Sequence, residues 1–189
     1  MAEFADRPEH PEVLDSELEF TGRVWDVVRE RFAFGEHELV RDFVKHPGAV
    51  AILARDEHDR VLLINQYRHP VRLRIWELPA GLLDVEGEEP LAAAQRELAE
   101  EVDLAAEHWT ELVSFATSPG GSSEFVTIYE ARGLSPVPAF ARTEEEAEIE
   151  VEWVELDEVV EAALTGRLHN SILLIAVLAA HARRHGDDG

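Results

Sequence analysis

Apolar and polar residues alternate over short stretches of the chain between Phe20 and Phe43. A two-residue period is typical of β-strands that bury one face. Gly35 and Glu36 interrupt the alternation and predict a turn. The residues up to about Ser16 are mostly polar and include two prolines. We therefore predict a polar N-terminal arm followed by a short β meander.

Longer apolar runs follow, and they predict a buried sheet. The runs Gly48 to Ala54 and Arg60 to Tyr67 are joined by a short acidic segment, Asp56 to Asp59. This pattern favours a hairpin within a core sheet. Further strands are predicted at Trp76 to Gly81, Glu111 to Thr117, Glu124 to Glu130 and Ile149 to Val154.

Three segments have the period of helices. The first follows Pro90, which suits the first turn of a helix, and its core-facing stripe is predicted to be Leu91, Ala94, Leu98 and Val102. The other two are Leu156 to Leu168 and Ser171 to Arg184, with Asn170 as a cap. The order of strands, helix, strands and helices predicts an α/β protein with a mixed sheet between helices.

Three carboxylates crowd onto the first predicted helix, within Arg96-Glu97-Leu98-Ala99-Glu100-Glu101. At about 100° per residue, Glu97, Glu100 and Glu101 span roughly 100° of arc beside the apolar stripe. Like charges at this spacing repel by a few tenths of a kcal/mol per pair, so a compensating cation is the natural explanation. Hard oxygen ligands of this kind suit Mg²⁺ or Mn²⁺.

Composition excludes several classes of protein. The formal net charge of −23 argues against a nucleic-acid-binding surface, which needs clustered Lys and Arg. The chain has no cysteine, which excludes disulfides and thiolate metal sites and fits a reducing interior. No secretory signal opens the chain, and the longest apolar run, Ile172 to Ala180, is too short to span a membrane. We therefore expect a cytoplasmic protein that binds neither nucleic acid nor membrane.

The segment that contains the acidic helix resembles the Nudix box. The family pattern is a Gly, five residues, a Glu, seven residues, then Arg-Glu, an aliphatic residue, any residue, Glu-Glu, any residue, Gly and an aliphatic residue. Here Glu88 is followed by seven residues and then by Arg96. Six residues separate Gly81 from Glu88, and Asp103 replaces the final Gly. The insertion lies in a loop, and Asp tolerates the left-handed conformation, so neither departure affects an expected ligand.

Residues outside the box are similar to the ADP-ribose pyrophosphatases of this family, particularly those of actinobacteria. The shared features are Gln66 to Pro70, Trp76 to Asp84, and Pro119, where members that prefer dinucleoside polyphosphates tend to have Tyr. The resemblance implies a Nudix α/β/α sandwich with a mixed β-sheet, preceded by the short meander. It also implies hydrolysis of ADP-ribose to AMP and ribose 5-phosphate. We expect residues 1–47 to form the arm and meander, and residues 48–185 the hydrolase domain.

The resemblance implies a metal site on the box helix. Glu97, Glu101 and the backbone carbonyl of Ala80 are expected to bind Mg²⁺ or Mn²⁺, and Glu100 is expected to join when further metal ions arrive. In the family, the residues at Glu88 and Arg96 tend to pair and hold the loop on the helix. A direct chemical role for that pair stays open.

The general base is expected outside the box, in the acidic run from Thr143 to Glu148. The pyrophosphatases of the family keep the base in a loop just before the corresponding strand. Glu146 is the first candidate and Glu145 the second, although most acids in such a run simply face solvent. If none of them serves, Glu100 is the next candidate.

Substrate phosphates are expected to meet arginine, whose planar fork binds such oxygens in pairs. Arg68, at the end of a core strand, is the first candidate and Arg41 the second; the alternative for Arg68 is a surface ion pair. Trp25 and Arg29 match positions at which the family stacks and holds adenine from the dimer partner. For these two, packing within the meander is an equal alternative. We therefore expect a homodimer, with Pro119 as a further substrate contact.

Two other functions stay open. Other Nudix substrates, including GDP-mannose, FAD, NADH and diadenosine polyphosphates, contain the same reacting group, and the box does not distinguish them. A nucleotide-sensing module without catalysis is the alternative from a different class. The complete set of metal carboxylates argues against it, as does the lack of a basic helix-turn-helix segment in the sequence.

Overall fold

The computed structural model describes residues 4–139 and 149–186, and its contacts divide the chain into two units. The first unit contains Met1–His46 and Ser118–Glu124, and the second contains Pro47–Thr117 and Phe125–Gly189. The functional boundary expected between residues 47 and 48 stays a prediction.

The first unit contains a three-stranded antiparallel meander of β1 (Val13–Thr21), β2 (Asp26–Phe34) and β3 (His37–Lys45). The predicted turn joins β2 to β3, and Gly35 takes the left-handed conformation there with φ 62°. The predicted meander is therefore confirmed, but it begins earlier than expected, because β1 starts at Val13 within the residues predicted as a polar arm.

The segment Ser118–Glu124 extends the meander of the first unit. The Val44 backbone N–H donates to the Gly121 carbonyl at 2.9 Å, and the Ser123 N–H donates to the Val44 carbonyl at 3.0 Å. Because these bonds join β3 to a distant part of the sequence, the first unit is built from two separate chain segments.

The second unit contains two sheets and three helices. One sheet has the strand order β7-β4-β9-β8, with β4 parallel to β9, and the other has the order β10-β5-β6 with antiparallel pairing. The predicted α/β class with mixed strand directions is thus confirmed. The bounds are β4 (Ala49–Ala54), β5 (Arg60–Arg68), β6 (Leu73–Glu77), β7 (Ala80–Leu82), α1 (Pro90–Val102), β8 (Leu104–Ala116), β9 (Phe125–Pro136), β10 (Glu150–Glu155), α2 (Leu156–Leu164) and α3 (Ser171–Gly186).

The hairpin predicted between β4 and β5 is wrong, although both strands are present. The two strands belong to different sheets, and an isolated bridge between Arg55 and Val61 joins their ends. A strand has two edges, and β7 and β9 occupy both edges of β4. Since β4 has no edge left, β5 pairs with β6 and β10.

Alternate side chains of β4 and β5 enter two different hydrophobic cores. The residues Ala51, Leu53, Val61 and Leu63 pack in one core with residues of α2 and α3, including Val159 and Leu173. The residues Val50, Ile52, Leu62 and Ile64 pack in the other core with α1, including Leu98. Helices therefore cover both sides of these strands, as the sandwich requires.

The buried face of α1 differs from the predicted stripe at one position. Ala94, Leu98 and Val102 are buried as predicted, but Leu91 is 37% exposed and Ala93 is fully buried. Leu91 lies in the first turn, at the end of the helix, and helix packing against the strands begins after it. Across residues 4–139 and 149–186, no helix combines the length and the apolar character needed to cross a membrane.

Candidate active site

Local sequence fixes both ends of α1. Glu89 precedes the helix in an extended conformation, and Pro90 occupies its first turn. At the other end, Asp103 takes the left-handed conformation with φ 57°, and its N–H donates to the Ala99 carbonyl at 3.1 Å. Asp103 therefore does what a glycine usually does at this position, and the helix holds its acidic face in a defined orientation.

Arg96 lies at the centre of the acidic face. Its Nε and Nη2 donate to the two carboxylate oxygens of Glu88, both at 3.0 Å, and its Nη1 donates to Glu97 Oε1 at 2.6 Å and to Glu100 Oε2 at 3.0 Å. The hydrogen bonds from Arg96 hold the pKa of Glu88 below its ordinary value. The expected pairing of Glu88 with Arg96 is present, and the same guanidinium also compensates two of the clustered acids.

Glu97 is more enclosed than Glu100 on the same helix face, since its side chain is 14% exposed against 43% for Glu100. Burial raises the pKa of Glu97, and the hydrogen bond and charge of Arg96 offset that effect only in part. A Cβ added at Gly81 would lie 2.0 Å from Glu97 Cδ and 2.1 Å from its Oε1. The absence of a side chain at Gly81 therefore makes room for the carboxylate.

Glu101 contacts Ala80, the residue that precedes Gly81 in β7. The Ala80 backbone N–H donates to Glu101 Oε2 at 3.0 Å. Strand β7 is held in turn by β4, in which Val50 is the partner of Gly81 and Ala51 the partner of Ala80. The structure thus brings Ala80, Glu97 and Glu101 to one place.

The oxygen atoms of Glu97 and Glu101 are of the kind that binds a hard divalent cation. The two carboxylates lie beside each other, because Glu97 lies against Gly81 and Glu101 contacts Ala80, the preceding residue of β7. In the residues that the structure describes, however, no three acidic, histidine or cysteine side chains converge closely enough to hold a metal ion. Arg96 Nη1 contacts both Glu97 and Glu100. For a cation to bind there, it has to replace Arg96 Nη1 at one or more of the oxygens of Glu97 and Glu100.

Arg68 lies at the end of β5 and contacts a residue that the sequence analysis did not single out. Its Nε donates to Glu77 Oε1 at 2.9 Å and its Nη2 to Glu77 Oε2 at 2.6 Å. Glu77 is only 4% exposed. One signal in the sequence could have identified it, since Glu77 is a carboxylate in the middle of an otherwise apolar stretch, Ile75 to Pro79.

Two of the expected substrate residues lie in the meander of the first unit and already have partners there. The Trp25 ring stacks on His46 with centroids 4.2 Å apart, and Trp25 stays 38% exposed. Arg29 donates to both carboxylate oxygens of Asp42, at 2.7 and 3.1 Å, and also contacts Glu19 at 2.7 Å. Their expected roles towards adenine stay predictions.

Arg41 and Pro119 lie on one pocket of the first unit. This pocket has a volume of about 350 Å³, and Phe32 and Phe43 also line it. Arg41 Nη1 donates to the Val40 carbonyl at 2.7 Å. The bonds of Val44 to Gly121 and Ser123 keep the segment that contains Pro119 beside β3. The structure therefore brings together two residues that are far apart in the sequence and that were both expected to contact substrate.

The expected general bases Glu146 and Glu145 lie outside the described residues.

Comparison with known proteins gives the family. The model of the NUDIX domain matches residues 45–174, which include α1 and the strands that hold it. The chain belongs to the Nudix family, whose members typically use a divalent metal ion.

Several relatives are similar to this chain over most of their length. An ADP-ribose pyrophosphatase of Mycobacterium tuberculosis is 42% identical over 172 residues, covering 90% of this chain and 83% of the relative. An ADP-ribose pyrophosphatase of Bacillus subtilis is 33% identical, covering 84% and 85%. A methanol dehydrogenase activator of Bacillus methanolicus is 39% identical, covering 72% and 74%.

A solved structure, described as the crystal structure of an ADP compounds hydrolase, is similar in fold. The TM-score is 0.78, and the match covers 97% of this chain and 98% of the other. At 20% sequence identity, this similarity supports the fold alone.

Proposed function

We propose that the protein is a Mg²⁺-dependent ADP-ribose pyrophosphatase that hydrolyses ADP-ribose with one water to AMP and ribose 5-phosphate. The observation that carries the proposal is the contact of the box helix with β7, where Glu97 lies against Gly81 and Glu101 accepts from Ala80. The pyrophosphatases of M. tuberculosis and B. subtilis, similar to this chain over most of its length, support the choice of substrate.

The proposed metal ligands are Glu97, Glu101 and the Ala80 carbonyl, with Glu100 as a further ligand. When bound, Mg²⁺ supplies positive charge against the diphosphate oxygens, whose own charge otherwise repels an attacking nucleophile. Burial of Glu97 limits the competition of solvent for its carboxylate, which favours a cation at this position.

The remaining roles belong to residues that bind the substrate or move a proton. Arg68 is proposed to bind the diphosphate, because a guanidinium matches phosphate oxygens in pairs. Glu146 is proposed to accept the proton of the attacking water, with Glu145 and then Glu100 as alternatives. Arg41 and Pro119 are proposed as further substrate contacts.

The proposal includes a homodimer. The apolar side chains Leu18 and Phe20 of β1 are 58% and 63% exposed in the single chain, and burial against a second copy would cover such a surface. Trp25 and Arg29, in the same meander, are proposed to contribute to adenine binding in the partner subunit.

A turnover panel with Mg²⁺ tests the function. It contains ADP-ribose, GDP-mannose, FAD, NADH and diadenosine polyphosphates, and products are identified by chromatography. We expect ADP-ribose to give the highest kcat/KM, with AMP and ribose 5-phosphate in equal amounts. A clear preference for another compound would contradict the substrate but not the family.

A folded protein that hydrolyses none of these compounds would contradict the enzyme proposal. Nucleotide binding without turnover would then favour a nucleotide-sensing module.

A further inference from the structure

Glu77 is a buried carboxylate at the end of β6, in the second unit. The chain runs from Glu77 through Leu78 and Pro79 directly into Ala80, the first residue of β7. Any constraint on Glu77 therefore acts close to the contact between Ala80 and Glu101.

Four hydrogen bonds converge on the Glu77 carboxylate. Arg68 donates twice, through Nε and Nη2, as described above. Gln66 Nε2 donates to Oε2 at 2.9 Å, and Asn170 Nδ2 donates to Oε1 at 3.1 Å. Asn170 also accepts the Leu173 N–H at 2.9 Å and so caps α3. An ionised carboxylate has about four acceptor sites, so the donors from β5 and from the start of α3 satisfy it.

A carboxylate buried as deeply as Glu77 is a poor choice for stability alone, because well-packed apolar residues often serve as well or better. The exposure of the two partners also differs, since the Glu77 side chain is 5% exposed and the Arg68 side chain is 48% exposed. One edge of the Arg68 guanidinium is thus fixed to a buried group, while about half of the side chain stays accessible from outside.

We propose that Glu77 is a positioning residue that holds the Arg68 guanidinium in the orientation that binds the substrate diphosphate. This inference rests on the function proposed above. Two parallel hydrogen bonds that Arg68 donates to Glu77 fix the plane of the guanidinium, which reduces the rotamer freedom that Arg68 loses on binding a phosphate. Gln66 and Asn170 keep the Glu77 carboxylate in place.

The test is steady-state kinetics of Glu77→Gln with ADP-ribose and Mg²⁺. Glutamine keeps the shape but presents one amide N–H₂ to donors, so at least one bond to Arg68 is lost. We expect KM to rise about tenfold and kcat to change by less than about threefold, because a phosphate contact that is already made before the transition state affects binding and not turnover. A KM within about twofold of wild type would overturn the inference.

A double-mutant comparison separates positioning from a general structural effect. If Glu77 acts through Arg68, adding Glu77→Gln to Arg68→Ala should raise KM little beyond Arg68→Ala alone. Independent effects that multiply would contradict the inference. The matched control is Asp56→Asn, which breaks a similar pair with Arg60 at the other end of β5. It should lower Tm without raising KM.

If Glu77→Gln does not fold, Glu77→Asp answers the same question, since aspartate keeps the charge but is one methylene too short to accept both bonds from Arg68 in their present geometry. We expect its KM to rise about tenfold, and a near-normal KM would refute the positioning role. Wild-type turnover distinguishes the two proposals. If wild type prefers another nucleoside diphosphate derivative, the proposed substrate fails, and the Glu77 comparison is made with that compound.

Discussion

Gly81 lies so close to the Glu97 carboxylate that an added Cβ would come within 2.0 Å of Glu97 Cδ and 2.4 Å of its Cγ. A real Cβ does not tolerate such a contact, so any side chain at position 81 has to displace Glu97 from β7. The alternative, a shift of β7 away from Glu97, is restricted because Gly81 pairs with Val50 of β4.

Gly81→Ala should therefore lower kcat/KM by about 10²-fold or more, because it moves a carboxylate proposed to stabilise transition-state charge through the metal. The Glu97 side chain can turn away, so Tm should fall by only a few degrees. Kinetics and thermal unfolding of the same preparation would measure both effects.

Gly166→Ala is the matched control for that substitution. Gly166 follows α2 with φ 72°, and nothing lies within 4 Å of an added Cβ. Alanine in this left-handed conformation costs about 1 kcal/mol, so Tm should fall while kcat/KM is unchanged. Gly81→Ala with normal activity would show that Glu97 is not needed in its present position.

Glu97→Gln and Glu101→Gln should each lower kcat by at least about 10²-fold, because an amide is a far weaker ligand for Mg²⁺ than a carboxylate. Both variants should fold, as thermal unfolding would verify. Glu107→Gln, an exposed acid on β8, is the control and should keep full activity. Near-normal turnover in either folded variant would remove that residue from the metal site.

Glu146→Gln should depress kcat strongly while changing KM and metal affinity little, since a general base acts on the nucleophile and not on ground-state binding. The acidic limb of the pH–rate profile should flatten in this variant. Glu144→Gln, Glu145→Gln and Glu148→Gln should lose far less. A large effect at Glu145 would move the base by one position, and four normal variants would make Glu100 the next candidate.

A homodimer is expected in solution, formed through the meander and its exposed apolar residues. Light scattering at working concentration measures the mass directly. A charged substitution on the exposed surface, Phe20→Glu, should weaken the dimer and raise KM for ADP-ribose, because Trp25 and Arg29 are then withdrawn from the partner's substrate. A stable monomer with full activity would contradict the shared site.

Low pH should lower the free energy of unfolding by protonating Asp59. Burial works against ionisation of Asp59, but hydrogen bonds from Arg55 and Arg184 outweigh burial, so the pKa of Asp59 lies below its ordinary value of 3.8. An acid with a lowered pKa stabilises the fold above its ordinary pKa, and this contribution is lost as the pH falls through the lowered value.

The variant Asp59→Asn should accordingly be less stable than wild type at neutral pH, and the difference should shrink between about pH 5 and about pH 2. Asparagine tolerates the left-handed conformation that Asp59 adopts with φ 64°, so the backbone is preserved. The free energy of unfolding from urea titrations at several pH values would measure the difference. A constant difference across this range would exclude the charge of Asp59 as the cause.

Local patterns in the sequence predicted both ends of α1 and the start of α3 because their causes are local. Several strand bounds were wrong, since β8 begins at Leu104 and the single strand predicted at Trp76 to Gly81 divides into β6 and β7 of different sheets. Pro90, Asp103 and Asn170 act within one turn of their own helices, and the structure confirms all three. The alternating residues from Phe20 to Phe43 likewise predicted β2 and β3, but most of β1 lies before that stretch.

Relations between distant residues could not be predicted in the same way. The parallel pairing of β4 with β9 joins residues such as Ala49 and Val126, and no local pattern encodes that choice of partner. The contact of Glu77 with Asn170 likewise joins residues that are 93 positions apart in the chain. The family pattern located the acids of the box but did not predict that Arg96 bridges Glu97 and Glu100.

The first unit consists of two separate chain segments, which limits how its N-terminal part can be exchanged between proteins. Besides residues before Pro47, the unit includes Ser118–Glu124, whose backbone bonds to Val44 complete the edge of β3. A graft of the N-terminal residues onto another enzyme would lack this edge, and a truncation would leave Ser118–Glu124 without its partner strand. The N-terminal meander is thus inherited together with a loop encoded more than seventy residues downstream, and the two are expected to vary as a pair.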